Sequence, residues 1–579
     1  MTIFSSYQAY YLLGLVVLSL LLRPVLVYIR DPLGLRKYPA PSWLAALTPL
    51  WLVHATWSQN RSRIIHREFQ RLGDVIRVSP DHIIFNDPAA VKDIYGVLAN
   101  SQGVHKDAFY DRVANDSHDL VQLRDRGEHA SRRKAIANAF AAKTVVNMES
   151  VIRQHFHELL VRIDQEIQKP VTEKAPFLNL RLWFNYFTLD VIGDMGFGRP
   201  MGFLKSMSDR TEAETQDGKS YQVMSMIDSL HKGVRYGLSI GNIPSHRLIH
   251  FLKHVVDIFP PLAARLGSTG GSDFEDICIR KLRTRLLEGA PTRWSGDFMK
   301  YILEDTKRST EGNSFSHKQF RSLVADTMMM MNAGSDTTAS ALTSTTWYLL
   351  RHPQALTRLR KELSDHIGRA QTSGLSAEES IFAYDVVKDL PFLRACIDES
   401  LRLRSPLAYQ LPRLVSRPTV IAGHQIMPGT VVAAAPYSIH RHASLFRDPG
   451  EYRPERWVDF DEEFPNQIED LKRYNIVFSQ GSRACIGRHL AIIELQILIP
   501  TLVMRYDMEL EQESKTELKV FERFNSNPGP LLVTSTLTIR DLQIPVNIVL
   551  VNLGVFQNLQ QPKLYDSSMA KRFALSHST

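Results

Sequence analysis

Along this chain of 579 residues the spacing of apolar positions changes several times, and each change predicts a different element. Tyr10 to Leu22 is nearly continuous apolar sequence, and Met1 to Leu22 carries no charged side chain. Counted on to Ile29, the run is long enough to cross a hydrocarbon layer of ~30 Å, so residues 1–30 are expected to form a transmembrane anchor. Arg23 can snorkel to the interface. The basic leader and small-residue cleavage site of a signal peptide are missing. Positive charge at Arg23, Arg30, Arg36 and Lys37 places the remainder of the chain on the cytosolic side. Pro32, Pro39 and Pro41 make residues 31–42 a stiff, non-helical neck.

Asp74 to Phe85 alternates and is rich in Val and Ile, which predicts a short sheet. From about Ala89 the helical period takes over, with helices expected at His129 to Ala142, Val145 to Gln168, Trp183 to Gly198, Gln354 to Ile367 and Pro391 to Leu403. The longest helix is expected from His317 to Arg351, opened by a Ser316/Gln319 capping box and followed by Pro353. Leu414 to Val432, with turns at Ala422-Gly423 and Pro428-Gly429, reads as a small antiparallel sheet, and a further hairpin is expected between Leu518 and Pro545. Ser206 to Lys219, Gly267 to Ser272 and Thr306 to Asn313 are polar and read as surface loops. The fold class expected is therefore mainly α with small β-sheets. One large domain spans residues 43–545, and a C-terminal extension at residues 546–579 has no role legible in the sequence.

Composition narrows this picture only slightly. Hydrophobic content of 44% and charged content of 22% are those of a globular protein. The three cysteines, Cys278, Cys396 and Cys485, include no Cys-x-x-Cys pair, which argues against a disulfide framework or zinc site. A net charge of +8 suits an anionic membrane surface or an acidic protein partner. No dense Lys/Arg run or nucleic-acid motif supports a nucleic-acid partner.

The candidate chemistry lies in Phe478 to Ala491. A lone cysteine is more often a small buried hydrophobe than a ligand. Cys485, however, sits in a glycine-punctuated loop just ahead of the apolar helical run Leu490 to Met504, where amide dipoles stabilise a thiolate and glycines let a flat group approach the backbone. In the long helix, Ala333-Gly334-Ser335-Asp336-Thr337-Thr338 interrupts good helical sequence. A weakened helix there can open a groove in which carbonyls, a hydroxyl and a carboxyl face a ligand. Glu399 and Arg402, spaced i, i+3, share a helix face.

Together these segments resemble the cytochrome P-450 family. The pattern Phe-x-x-Gly-x-Arg-x-Cys-x-Gly-x-x-Leu-Ala matches its haem-binding loop at every fixed position, the 333–338 hexapeptide is similar to its oxygen-activation motif, and Glu399-x-x-Arg402 with Pro454-Glu455-Arg456-Trp457 supplies its buried ion network. The resemblance covers roughly Leu35 to Pro545 and implies a haem cofactor (iron protoporphyrin IX) with Cys485 as axial ligand to iron. It further implies that Phe478 and Gly487 border the haem, that Arg133, Arg413 and Arg483 meet its propionates, and that Asp336 and Thr337 form the catalytic proton relay. Glu399, Arg402 and Arg456 become a structural brace. The family usually has Trp where this chain has His129, so the aromatic contact to haem is in question there.

Counting back from Thr337 in steps of three and four puts Ala333, Met330, Met329 and Asp326 on one helical face. With Phe109, Tyr110 and the stretch Leu407 to Leu411, these are the expected substrate pocket. No flavin or dinucleotide fingerprint is present, so the resemblance implies electrons from an NADPH-dependent reductase, with O2, membrane lipid and a hydrophobic small molecule as the other partners. Gly73 to Gly96 and Trp183 to Gly198 are similar to a fungal microsomal branch that includes benzoate para-hydroxylases and secondary-metabolite tailoring enzymes. The expectation is a single-pass endoplasmic-reticulum monooxygenase with a cytosolic catalytic domain, acting on a secondary-metabolite intermediate. Competing readings are a hydroxylase of simple aromatic acids such as benzoate, a haem-thiolate isomerase or dehydratase that does not use O2, and a haem-based sensor.

Overall fold

The computed structural model describes residue 18 and residues 22–114, 117–169, 177–289, 297–308, 315–370, 381–465 and 467–537. The chain folds as a mainly helical body with a mixed sheet on one side. In chain order the elements that position the site are α1 (Arg61–Leu72), β1 (Val75–Ser79), β2 (His82–Phe85), β3 (Val104–Lys106), α2 (Arg126–Ala137), α3 (Glu149–Ile167), α4 (Leu180–Phe197), α5 (Met226–Gly241) and α6 (Ser268–Glu288). They continue with α7 (His317–Arg351), α8 (Pro391–Leu403), β4 (Arg413–Val415), β5 (Val431–Ala434), α9 (Arg488–Arg505), β6 (Tyr506–Leu510), β7 (Val520–Glu522), β8 (Ser526–Pro528) and β9 (Leu532–Leu537).

The helix α7 is the axis of the body. Its 35 residues, ~50 Å at 1.5 Å per residue, start at the Ser316/Gln319 capping box and run unbroken to Arg351. It packs against α4, α6, α8 and α9 and forms the centre of the largest apolar core. The expected weak point at 333–338 remains helical. Gly334 instead permits close packing, since a Cβ there would lie 2.7 Å from the Ile192 Cδ1 of α4. The hydroxyl of Thr337 donates back to the Ala333 carbonyl at 2.7 Å, which satisfies it within the helix.

The two sheet segments expected to be separate are one sheet of order β1-β2-β5-β4-β3. The antiparallel pair β1/β2 is joined by β5, which runs parallel to β2 and antiparallel to β4. Every residue of β5 is buried, as suits a strand covered on both faces. The expected late hairpin is β7/β8, and β9 adds to β6 in a second sheet.

Three expectations are corrected. Ser268 to Ser272, read as loop, is the first turn of α6. Gly267 ahead of it has φ +83°, and Gly271 lies near Gly233 of α5, so small residues here serve close helix packing. Within Ser206 to Lys219, Thr211–Glu214 pairs with Ser220–Val223 as a hairpin. Val145 to Gln168 is two helices, Ala142–Asn147 and α3, that meet at Met148.

Residues 22–30 are helical, and no helix among the described residues is long and apolar enough to cross a membrane. Most of the expected anchor, and all of the C-terminal extension, lie outside the described residues. Residues 31–42 are non-helical as expected. They are not a free spacer, because Leu35 and Tyr38 are buried in the apolar cluster beneath the sheet.

Candidate active site

The loop before α9 is held in shape by its backbone. The Cys485 amide donates to the Phe478 carbonyl at 2.8 Å, and the chain turns through left-handed conformations at Ser479 (φ 57°) and Gly481 (φ 71°). Glycine is required at 481, where a Cβ would lie 2.4 Å from the Tyr95 carbonyl oxygen. Gly487 is the residue preceding α9, and a Cβ there would meet nothing within 4 Å. Of the three cysteines only Cys485 is exposed. Burial of its surroundings raises the thiol's pKa, against the opposing pull of the Gly487 amide, Arg133 and Arg488. Arg133, on α2, thus sits on the cysteine side of the site, half-buried and electrostatically coupled to Cys485.

Arg413 and Arg483 come together on another side, with Lys106 of β3 as a third cation. All three line a small cavity whose wall contains no acid. None of them is in an ion pair among the described residues. Lys106 donates to the Val121 carbonyl and lies 4.4 Å from the Tyr110 ring centroid. Arg413 donates to the Tyr110 hydroxyl at 3.1 Å, and Arg483 to the Leu123 and Arg124 carbonyls at 2.6 and 3.1 Å. Burial and the charge of Arg413 push Arg483 down to about 10, and burial with both arginines drives Lys106 well below its usual range. His129 is buried beside these cations, and burial with the charges of Arg483 and Lys106 lowers it to about 3, so its ring is neutral. Sequence reasoning missed Lys106. Its signal is a lysine in register with Val104 on the buried face of a strand.

On α7 the turns around the hexapeptide differ in exposure. Ala333 is exposed and Thr337 half-buried, while Ser335, Asp336 and Thr338 to Leu349 are buried. Asp336 therefore does not share the open face with Thr337. Its carboxylate accepts from Arg181 at 2.8 Å, His231 at 3.1 Å, Asn525 at 2.9 Å and also Asn527. Burial works to raise its pKa, but His231, Arg181 and Asn525 outweigh it and hold the group well below the usual carboxylate range. His231 donates to this carboxylate, and burial lowers its own pKa against the opposing pull of Asp336. These four partners are not foreseen from the sequence, although an arginine in the apolar run Leu180-Arg181-Leu182-Trp183-Phe184 signals a buried acid.

The rest of the expected pocket face divides. Met330 is buried in the main core and Met329 half-buried against it. Asp326 turns away to pair with Arg132 of α2. Phe109 and Tyr110 are buried in one aromatic cluster with Leu238 and Tyr409, and Phe109 stacks on Tyr409 at 5.9 Å between ring centroids.

Glu399, Arg402 and Arg456 form the expected network. Arg402 donates to both carboxylate oxygens at 2.8 Å, and Arg456 to one at 2.9 Å. The Arg453 amide and Trp457 indole complete it at 3.0 Å each. Burial would raise Glu399, but Arg402 and Arg456 hold it ionised.

With this geometry, the chain belongs to the cytochrome P450 family, whose model matches residues 39–534. It is an oxidoreductase that uses haem, and its relatives are fungal monooxygenases. It is 29% identical to the benzoate 4-monooxygenase bphA of Aspergillus niger over 522 residues, covering 89% of this chain and 95% of that protein. Identity to the cytochrome P450 monooxygenase ABA2 of Pyricularia oryzae is 27%, covering 82% of this chain and 84% of the relative. The monooxygenase stcF of Emericella nidulans is 28% identical, covering 83% and 89%. The residues present fit such a group: an exposed cysteine, open space at Gly487, and three cations on a cavity wall that holds no acid.

Proposed function

We propose that this protein inserts one oxygen atom from O2 into a hydrophobic small molecule, a secondary-metabolite intermediate, with electrons delivered by an NADPH-dependent reductase. The observation that carries this reading is an exposed Cys485 just ahead of α9, a helix that packs on α7, where Ala333 is exposed and Thr337 half-buried. Cys485 would be the axial ligand, with Phe478 and Gly487 along the haem, Arg413, Arg483 and Lys106 toward its carboxylates, and Arg133 beside the thiolate. A thiolate-ligated haem, when bound, supplies O2 activation and O–O cleavage.

The chain's own groups handle protons and water. Thr337 commits its proton to the Ala333 carbonyl, which leaves its oxygen free to accept from a water. Asp336 is ionised and tied to Arg181 and His231, so it serves as a relay acceptor and not as a stored acid. The aromatic cluster of Phe109, Tyr110 and Tyr409 suits an apolar substrate body. Residues 1–30 would anchor the chain in the endoplasmic-reticulum membrane, on the strength of their uncharged, apolar sequence.

The test is product formation from the biosynthetic intermediates of a gene-deleted strain, with purified protein, reductase and isotopically labelled O2. The expected result is one labelled oxygen atom per product, with Thr337→Ala diverting reducing equivalents to peroxide. Product formed equally well without O2 would establish an isomerase or dehydratase instead.

A further inference from the structure

Arg61 opens α1 and is among the largest fully buried side chains of the protein. Its guanidinium has no ion-pair partner among the described residues. It donates only to neutral oxygens: Gln410 Oε1 at 2.9 Å, Tyr409 Oη at 2.6 Å, Thr56 Oγ1 at 3.2 Å and Asn242 Oδ1 at 3.3 Å. Nη2 makes no hydrogen bond among the described residues, and Arg61 forms part of the wall of a small cavity. Glu522 attracts the guanidinium from a distance, while its own Oε2 is taken by the Ser62 amide at 2.6 Å. A buried cation without an ion-pair partner is costly to keep; Arg181, Arg285 and Arg402 are paired, whereas Arg77 and Arg413, like Arg61, meet neutral oxygens.

The wall around Arg61 combines this charge with apolar surface. Leu52, Phe109, Pro412 and Val431 contribute the apolar part. The two acids in the wall do not answer the arginine. Asp107 is paired with Arg112 at 3.1 Å, and Asp81 accepts from Ser79 Oγ at 3.2 Å while burial raises its pKa toward the neutral form. The guanidinium stacks 4.0 Å from the centroid of Tyr409, whose ring contacts Phe109 on one side and Phe524, at 5.8 Å, on another. Phe524 precedes Asn525, which bonds Asp336 next to Thr337. The aromatic cluster thus runs from Arg61 to the segment that meets the buried side of α7 at Asp336.

We propose that Arg61 recognises a carboxylate of the substrate, so that the substrates are amphipathic acids whose apolar body lies along the aromatic cluster and whose oxidised carbon is remote from the acid group. The inference rests on the monooxygenase reading above and adds the chemical class of substrate. A guanidinium whose Nη2 is left to donate into a desolvated wall suits a charged carboxylate better than a neutral amide or alcohol.

The experiment is a spectral titration of the haem-loaded protein with two matched pairs, dodecanoic acid with dodecanamide and biphenylcarboxylic acid with its amide. In at least one pair the acid should bind about tenfold or more tightly than the amide. Arg61→Gln should bring acid affinity down to that of the amide while the amide changes by no more than about twofold, and Arg61→Lys should retain part of the preference. Equal affinities in the unaltered protein, no response to any of the four compounds, or an acid preference that survives Arg61→Gln would each overturn the proposal. If Arg61→Gln does not hold haem, the unaltered protein and Arg61→Lys decide it. O2-dependent oxidation without any acid preference removes the role of Arg61 alone, whereas product formation independent of O2 removes the reading beneath it.

Discussion

Two clusters of charge, one around Glu399 and one of Lys106, Arg413 and Arg483, are built in opposite ways. Around Glu399 each carboxylate oxygen meets donors from Arg402 and others, all within 3.0 Å, and the side chains are almost fully buried. Around the cavity of Lys106, Arg413 and Arg483, three cations face one space with no acid in its wall. The first cluster is complete as a fold element. Among the described residues the second is held by carbonyls, a tyrosine hydroxyl and ring faces, and burial, with repulsion from neighbouring cations, lowers the pKa values of Lys106 and Arg483. Buried charge that the chain neutralises itself is structural, and buried charge that it leaves open marks where an anionic group belongs.

The largest effect should come from breaking the closed cluster. Glu399→Gln leaves Arg402 and Arg456 buried without a counter-charge and should cost about 3–5 kcal/mol, read as a large fall in the thermal unfolding midpoint and loss of haem-containing protein. An unchanged midpoint would show that the network does not brace the loop.

The open cluster should respond differently. Arg483→Gln relieves repulsion but gives up bonds to two carbonyls, so the stability of the haem-free protein should stay within about 1–2 kcal/mol of the original. Haem transfer to an acceptor such as apomyoglobin should become several-fold faster. A fall in stability as large as that of Glu399→Gln, with unaltered haem retention, would make the two clusters alike and remove the distinction.

Local signals make much of this molecule legible in its sequence. The bounds of α7 follow from Ser316, Gln319 and Pro353, and those of α8 from Pro391 and its helical period. The order of the main sheet is not legible, because β5 joins β2 across more than three hundred residues of chain and neither strand encodes the other. Gly334 reads as a weak point in isolation, whereas it makes room for Ile192 from another helix. Asp336 is legible as an important acid but not as a bound one, since Arg181, His231, Asn525 and Asn527 reach it from three separate elements. Of the helix residues expected to face substrate, Ala333 is exposed, but Asp326 and Met330 are drawn to neighbouring helices that a single-helix wheel omits.

The central claim is that Cys485 ligates haem iron. The direct measurement is the absorption spectrum of the dithionite-reduced, carbon-monoxide-saturated protein, with Cys485→Ala prepared in parallel. The unaltered protein should show the band characteristic of a thiolate-ligated haem, and Cys485→Ala should lose it, since Cys278 and Cys396 are buried in the core and unable to substitute. A Cys485→Ala protein that retains the band would contradict the assignment of this loop as the seat of catalysis.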